Sequence, residues 1–376
     1  MKKIVFAVYH DCNQEARSME LLHCCCILGH VDFVSYSSPA GISDITVHLV
    51  DKRSPVALLN FLQMAEKTID QVRPDLVVLH DSDCSALIPF LRKRLPDAKI
   101  IYDSSELNIP MRDMPKQSLF RDGLSIAVKQ KFTSFRGKYE REYLKYADVV
   151  LAANVERAQI MKEYYHLKEL PIIFDNIHKI EDDFDRHTCE IKYGYAFDKQ
   201  SFNILFAGGI NEERKTFDYI KAFRKLGDRY RLILVGSASA VALKQYQSLV
   251  QDIPKNRIFY LGFLSRADLR FCIQHSQASV VLFDKNSYNT LYCASGKCYE
   301  SLFEGVPILA SENPPLKRLC TEFGIGVSDD CFERGVLELQ EHYTAYTKNV
   351  REYVDGLHYK MRVLDTADAI ERRLNI

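Results

Sequence analysis

Short, unbroken apolar runs alternate with helix-length amphipathic stretches twice along this chain, and a polar interval separates the two series. Residues 3–9, 75–80, 99–103, 148–152 and 171–174 form the first set of runs; residues 202–206, 230–235, 257–261, 278–283 and 307–310 form the second. A run that is apolar at every position, rather than at every second one, must be covered on both faces. Helices on both sides of a parallel sheet supply that cover, so each series predicts a doubly wound α/β domain. The spacing predicts a helix over 13–29, stopped by Gly29, and a long helix over 118–147. The polar stretch 177–201, with Glu181-Asp182-Asp183 and Asp198-Lys199-Gln200, reads as a linker. The predicted organisation is an N-terminal domain over 1–176, that linker, a second domain over 202–350, and a C-terminal helix over 351–376 packing back toward the first domain. Two tandem sheets of this kind face a cleft, with ligands expected outside the carboxyl ends of the strands.

Composition narrows the function. Lys plus Arg balance Asp plus Glu at 50 each, so a cationic protein that coats nucleic acid is excluded and no nucleic-acid partner is expected. Eleven cysteines include the triplet Cys24-Cys25-Cys26 but no CxxC pair, which points to buried reduced thiols and a cytoplasmic setting. No apolar run reaches the roughly 20 residues of a membrane helix.

The loops at the predicted strand ends carry the chemistry. Gly208 and Gly209 follow the 202–206 strand, and Arg214 and Lys215 precede the next helix. Backbone N–H groups at a helix start, together with two cations, suit a diphosphate. A plain strand-to-helix turn with a solvated basic pair would read the same way. Gly236 closes the 230–235 strand. Further on, Ser295 and Gly296 open a helix whose first turns hold Lys297 and Glu300. An acid so placed can accept ribose hydroxyls, although the helix dipole alone also favours it there. Asp81-Ser82-Asp83 has the spacing of a metal-binding pair but reads better as a helix cap. The stretch 9–15 has no glycine where a dinucleotide would approach, which disfavours a dehydrogenase.

The string from Asn289, Thr290 and Tyr292 through Ser295, Gly296, Lys297 and Glu300 to Glu304-Gly305-Val306-Pro307 resembles the donor-binding segment of family 4-like glycosyltransferases, in particular the bacterial surface-polysaccharide branch. Phe206-Ala207-Gly208-Gly209 with Arg214-Lys215 resembles the diphosphate loop of these enzymes, and the stretch around Phe263 resembles the loop that holds the base. In the first half, Leu79-His80-Asp81 and Tyr102-Asp103-Ser104-Ser105-Glu106 resemble the acceptor-side loops, and Arg17 falls where a basic residue is common. The resemblance implies a GT-B fold and a retaining, metal-independent hexosyltransferase in surface-polysaccharide synthesis. Its co-substrate would be a nucleotide-diphosphate sugar, with UDP favoured over GDP, and it would have no resident cofactor. It further implies Lys215, Arg214, Glu300, Asp103 and Glu106 as catalytic residues, and Arg17, His80, Asp81, Asp103, Ser105 and Glu106 as the acceptor side. The pattern departs from the family at Tyr292, where many members carry a first glutamate, at Gly209, where many carry arginine, and at Ser104-Ser105, where a histidine is common. A non-catalytic scaffold on the same fold and a sugar-nucleotide epimerase are the alternatives.

Residues 115–145 interleave Lys116, Arg121, Lys129, Lys131, Arg136, Lys138, Arg141 and Lys145 with apolar side chains. Such a segment suits peripheral contact with an anionic membrane and, by the resemblance, a glycan or lipid-linked glycan acceptor. An ordinary solvated helix face has the same pattern.

Overall fold

A computed structural model describes residues 1–53, 56–110, 137–212 and 214–376, apart from the Gln14 side chain. The chain forms two compact units. The first comprises Met1–Asn176, Ser287–Asn289 and Tyr359–Ile376; the second comprises Ile177–Asn286 and Thr290–His358.

The first unit holds a seven-stranded parallel sheet. Its strands are β1 (Lys2–Val8), β2 (Gly29–Ser35), β3 (Ile45–Leu49), β4 (Leu76–His80), β5 (Lys99–Ser104), β6 (Val149–Ala152) and β7 (Ile172–Ile173), in the order β3-β2-β1-β4-β5-β6-β7. In β1, Val5 pairs with Asp32 on one side and Val77 on the other. Residues 4–8 and all of β4 are buried, as an apolar central strand requires. Strands β2 and β3 are absent from the sequence reading. Gly29 does end helix Ala16–Leu28, but it also starts β2 without a loop, and a Cβ there would collide with the Lys2 carbonyl. Strand β3 is only partly buried and carries Thr46 and His48, so it lacks the apolar run of an inner strand.

Helix Ala16–Leu28 and the C-terminal helix Arg362–Leu374 cover one face of this sheet. Leu21, Leu22, Cys24 and Cys25 of the first and Ala367, Ile370 and Leu374 of the second join one core with Phe6, Phe33 and Leu151. Burying a side chain such as Ile370 or Leu374 contributes about 1.5–3 kcal/mol. The preceding helix, Tyr343–Gly356, belongs to the second unit, so the chain returns to the first at Tyr359 rather than at 351. Residues 137–143 are helical; most of the helix expected over 118–147, and most of the basic segment 115–145, lies outside the described residues.

The second unit holds six parallel strands, β8 (Phe202–Ala207), β9 (Tyr230–Val235), β10 (Ile258–Tyr260), β11 (Ala278–Val281), β12 (Ile308–Ala310) and β13 (Gly326–Ser328), in the order β10-β9-β8-β11-β12-β13. Phe206, Phe217, Phe223 and Leu309 fill the core on one face; Leu205, Ile233 and Phe271 fill it on the other. Ile180, Cys189 and Ala196 are buried in that second cluster. The stretch 177–201 is therefore not a free linker. Its helix Arg186–Tyr193 places Cys189 inward and leaves charges outside, which is why its composition reads as polar.

Strand order reverses between β1 and β4 in the first sheet and between β8 and β11 in the second. At such a switch point the following loops run to opposite faces and leave a crevice at the carboxyl ends of the strands. Among the described residues, no helix is long and apolar enough to cross a membrane.

Candidate functional site

The loops around the second switch point are laced together by backbone. The Gly208 N–H donates to the Val235 carbonyl (2.8 Å), Ile210 N–H to the Ser237 carbonyl (2.9 Å) and Gly236 N–H to the Gly262 carbonyl (2.8 Å). Gly236 has φ 145°, and a Cβ on it would lie inside the shell of the Gly208 carbonyl. Only glycine fits there, so the ends of β8 and β9 approach as backbone against backbone. Arg214 crosses to the other side of the switch point, its guanidinium 4.4 Å from the centre of the Phe283 ring just beyond β11. Lys215 sits at the N-terminus of helix Thr216–Phe223 in a left-handed conformation, φ 52°. Both cations are half-buried. Phe263, next to Gly262 at φ 76°, is 82% exposed.

The loop after β11 is pinned from β12 by two residues that sequence reasoning missed. The buried Asn313 amide donates to the carbonyls of Asp284 (3.1 Å), Thr290 (2.8 Å) and Leu291 (3.3 Å). Ser311 Oγ donates to Asn313 Oδ1 (2.5 Å) and accepts from Phe283 N–H (3.0 Å). The Asn-Pro sequence at 313–314 signals a helix start, and that cap role conceals the loop anchor.

Two expected donor-side residues differ from the sequence picture. Asn289 groups with the first unit, where its side-chain oxygen accepts from Arg157 (2.6 Å) and from Leu107 N–H (3.1 Å). Glu300 is only 5% exposed, and its carboxylate is shared between Lys297 Nζ (3.3 Å) and Arg266 (3.5 Å). Burial of this acid within its own unit counts against a direct ribose contact. Lys297 on the same turn remains exposed. Gly296 packs against the His178 ring, which a Cβ would displace. Tyr292 and Ser295 are half-buried nearby in sequence, and Gly209 leaves only the mobile end of Asn211 in its way.

At the first switch point the side chains form a charged network. Arg17, 1% exposed, places Nε 3.1 and 3.0 Å from the two Asp103 oxygens, and its other nitrogens donate to Asp103, the Phe174 carbonyl and Asn176. The His80 ring is fully buried at the end of β4. Its Nδ1 lies 2.8 Å from Asp103 Oδ2, an ion-pair contact rather than a well-directed hydrogen bond, and its Nε2 lies 2.8 Å from Glu15 Oε2. His10 Nε2 reaches the same Glu15 oxygen at 2.7 Å. Arg17 and Asp103 are thus enclosed, and together they position His80. Arg17, expected on the acceptor side, and Asp103, expected to be catalytic, both lie in the packing beneath His80.

Electrostatics follow from this packing. Burial alone would lower the pKa of the His80 imidazole, but Asp81, Asp103 and Glu15 raise it well above the usual histidine range. Burial would raise the Glu15 carboxyl, and hydrogen bonds from His10 and His80 instead bring it far down. Asp103 is likewise held low, the Arg17 charge and His80 outweighing burial. Asp81 lies at φ 61°, ψ 173°, a region that non-glycine residues rarely occupy. Its carboxylate accepts from Ser105 N–H (2.8 Å) and Ser105 Oγ (2.6 Å), which fixes the loop after β5. Glu106 beyond it has open surface, yet surrounding protein raises its pKa despite Arg157.

No family model and no curated protein matches this chain. Solved structures do. Sucrose-phosphate synthase from Thermosynechococcus elongatus superposes with a TM-score of 0.74 at 13% identity, covering 100% of both chains. A glycosyltransferase from Rickettsia africae gives 0.69 at 13% identity, covering 99% of this chain and 98% of its own. HepE from Anabaena, solved in complex with UDP, gives 0.67 at 13% identity over 100% of both. This chain has their fold. It is the GT-B fold of two parallel-sheet α/β units. At such identity the likeness extends to architecture alone, and function must be argued from the sites.

Proposed function

We propose that the protein is a glycosyltransferase that moves a sugar from a nucleotide diphosphate to a glycan or lipid-linked glycan acceptor. The observation that carries this reading is the backbone cradle at the second switch point, where Gly208 and Gly236 meet and Arg214 and Lys215 stand at a helix start. Breaking a sugar–diphosphate bond leaves negative charge on the diphosphate. Fixed N–H groups and cations aimed at that charge lower the barrier without reorganising. In this proposal Arg214 and Lys215 neutralise the leaving group, a role that otherwise falls to a metal at the diphosphate; retention of configuration is what the family resemblance implies. Exposed Phe263 offers a face for the base, and Glu300 acts through Lys297 by holding its ammonium in place. The UDP named for the HepE structure supports a uridine donor. The resemblance to the surface-polysaccharide branch supports a role in polysaccharide synthesis at the inner face of the membrane.

The test is a panel of UDP- and GDP-sugars scored by thermal shift, since a ligand of the native state raises its apparent stability. At least one should shift the transition, and its sugar should then be transferred to a glycan acceptor. Silence to every donor supports a non-catalytic scaffold. The titratable network of the first unit favours a second reading, a sugar-nucleotide epimerase, in which a bound donor is isomerised without any acceptor. Sedimentation with anionic vesicles at low and high salt tests peripheral membrane contact; recovery with the vesicles should fall as salt rises.

A further inference from the structure

We propose that His10, Glu15 and His80 form a binding site for a first-row divalent ion of the zinc class. This inference goes beyond the transferase reading and concerns the first unit alone. The three side chains come from three places that the fold brings to the switch point: the loop after β1, the start of helix Ala16–Leu28 and the end of β4. His10 Nε2 and His80 Nε2 both reach Glu15 Oε2, and one ligand atom from each of the three residues lies within 4.8 Å of the others. Two imidazoles and a carboxylate suit zinc and its neighbours rather than magnesium or calcium, which prefer oxygen.

Zinc bonds of about 2.0–2.2 Å put tetrahedral ligand atoms roughly 3.3 Å apart. Here the nitrogen-to-oxygen separations are 2.7 and 2.8 Å. The ion therefore has to spread the cluster by about half an ångström. His10 and Glu15 are the members able to move, with side chains 31% and 30% exposed. His80 is the fixed member. Its far nitrogen faces Asp103, which Arg17 clamps in turn. A carboxylate on the far nitrogen is the usual outer support of a metal-bound histidine.

Charge also favours a dication. Glu15, Asp81 and Asp103 crowd this point with Arg17 as the permanent cation among them. The ion takes the unprotonated Nε2 of each ring, and binding involves no redox change. Three protein ligands leave a further coordination position, and the exposed edges of His10 and Glu15 direct it outward, where water or a sugar hydroxyl can bind.

The test uses the full chain, stripped with chelator and dialysed, then titrated with zinc in calorimetry and with cobalt in visible absorption. One ion per chain and the d–d bands of low-coordinate cobalt with nitrogen and oxygen ligands are expected. His10→Asn and Glu15→Gln should each weaken zinc by at least about tenfold, the scale known for outer-shell losses alone. Circular dichroism verifies that both variants are folded. Absence of zinc uptake by the native chain overturns the proposal. So does unchanged uptake in both folded variants, or a thiolate charge-transfer band, which would place the ion on cysteine. UDP titration of the same samples tests the donor proposal separately.

Discussion

At the carboxyl edge of the first sheet, charged side chains are buried against one another; at the same edge of the second sheet, backbone meets backbone and the cations stay half-open. Arg17, His80 and Asp103 are sealed into one network, whereas Arg214 leans on a ring and Lys215 caps a helix. The first arrangement is internally compensated, so each member depends on the rest for stability. The second leaves charge available to a ligand. The same topological position thus yields two kinds of site, and substitutions should separate them. Changes in the first should register as lost stability, and changes in the second as lost binding.

The largest effect is expected from Arg17→Met. It takes from the buried Asp103 its permanent cation and leaves only His80 beside it; breaking a buried ion pair in this way typically costs about 3–5 kcal/mol. Urea unfolding should show the loss as a lower midpoint for the transition of the first unit. UDP affinity, measured where both proteins are folded, should stay within about twofold. A loss of UDP affinity with stability unchanged would reverse the comparison.

A pH dependence of similar origin follows. Glu140 is buried among the Tyr102 and Tyr165 hydroxyls, and burial raises its carboxyl to about 8, with Asp81 and Asp83 adding to the effect. Because its folded pKa lies above the unfolded one, its contribution is full below about 4.5 and is lost as pH rises through about 8. His80, also raised, acts in the same direction above the ordinary histidine pKa. Glu15 and Asp103, both lowered, lose their contribution as pH falls below the ordinary carboxylate range. The first unit should therefore melt highest in mildly acidic buffer. Glu140→Gln should flatten the decline between pH 5 and 8, with the two proteins differing by up to about 4 kcal/mol over that span. Parallel melting curves for both proteins across this range would refute the assignment.

The sequence revealed the parts of this comparison that rest on apolar runs and glycines. Inner strands β1, β4, β5, β8 and β9 declare themselves because each is buried on both faces. Strands β2, β3 and β13 do not: one starts at a helix-stopping glycine, one is half-solvated, and one, Gly326–Ser328, has a single apolar side chain. Gly208 and Gly236 were legible for a backbone reason. The packing of Arg17 and Asp103 was not, because a charged residue at a helix start or a strand end looks the same in sequence whether it faces a ligand or another charge. His10 and Glu15 were passed over for a related reason. They flank a short 3-10 turn, and only the fold brings them to His80.

On the second unit, Lys215→Ala should weaken UDP by about 1.5–3 kcal/mol, roughly ten- to a hundredfold, the range for a charge-assisted contact. Stability should hold, since Lys215 makes no side-chain cap hydrogen bond and Ala keeps the same Cβ at this left-handed position. Calorimetry with UDP on both proteins measures the difference. Equal affinities would show that the helix start and its cations belong to an ordinary turn.

The smallest and most selective effect is expected at Phe263. A ring that is 82% exposed contributes almost nothing to folding, so Phe263→Ala should change the melting midpoint by no more than a surface substitution does, about 0.5 kcal/mol. If the ring stacks on the base, its removal should cost about 0.5–1.5 kcal/mol of UDP affinity, the scale of an aromatic pair. The discriminating measurement sets UDP against inorganic pyrophosphate. Stacking touches the base and not the phosphates, so only the UDP affinity should fall. Lys215→Ala should instead weaken both ligands, because its contact is with the phosphates they share. Equal losses for the two ligands in Phe263→Ala would mean that the ring supports the loop around Gly262 and that the base lies elsewhere.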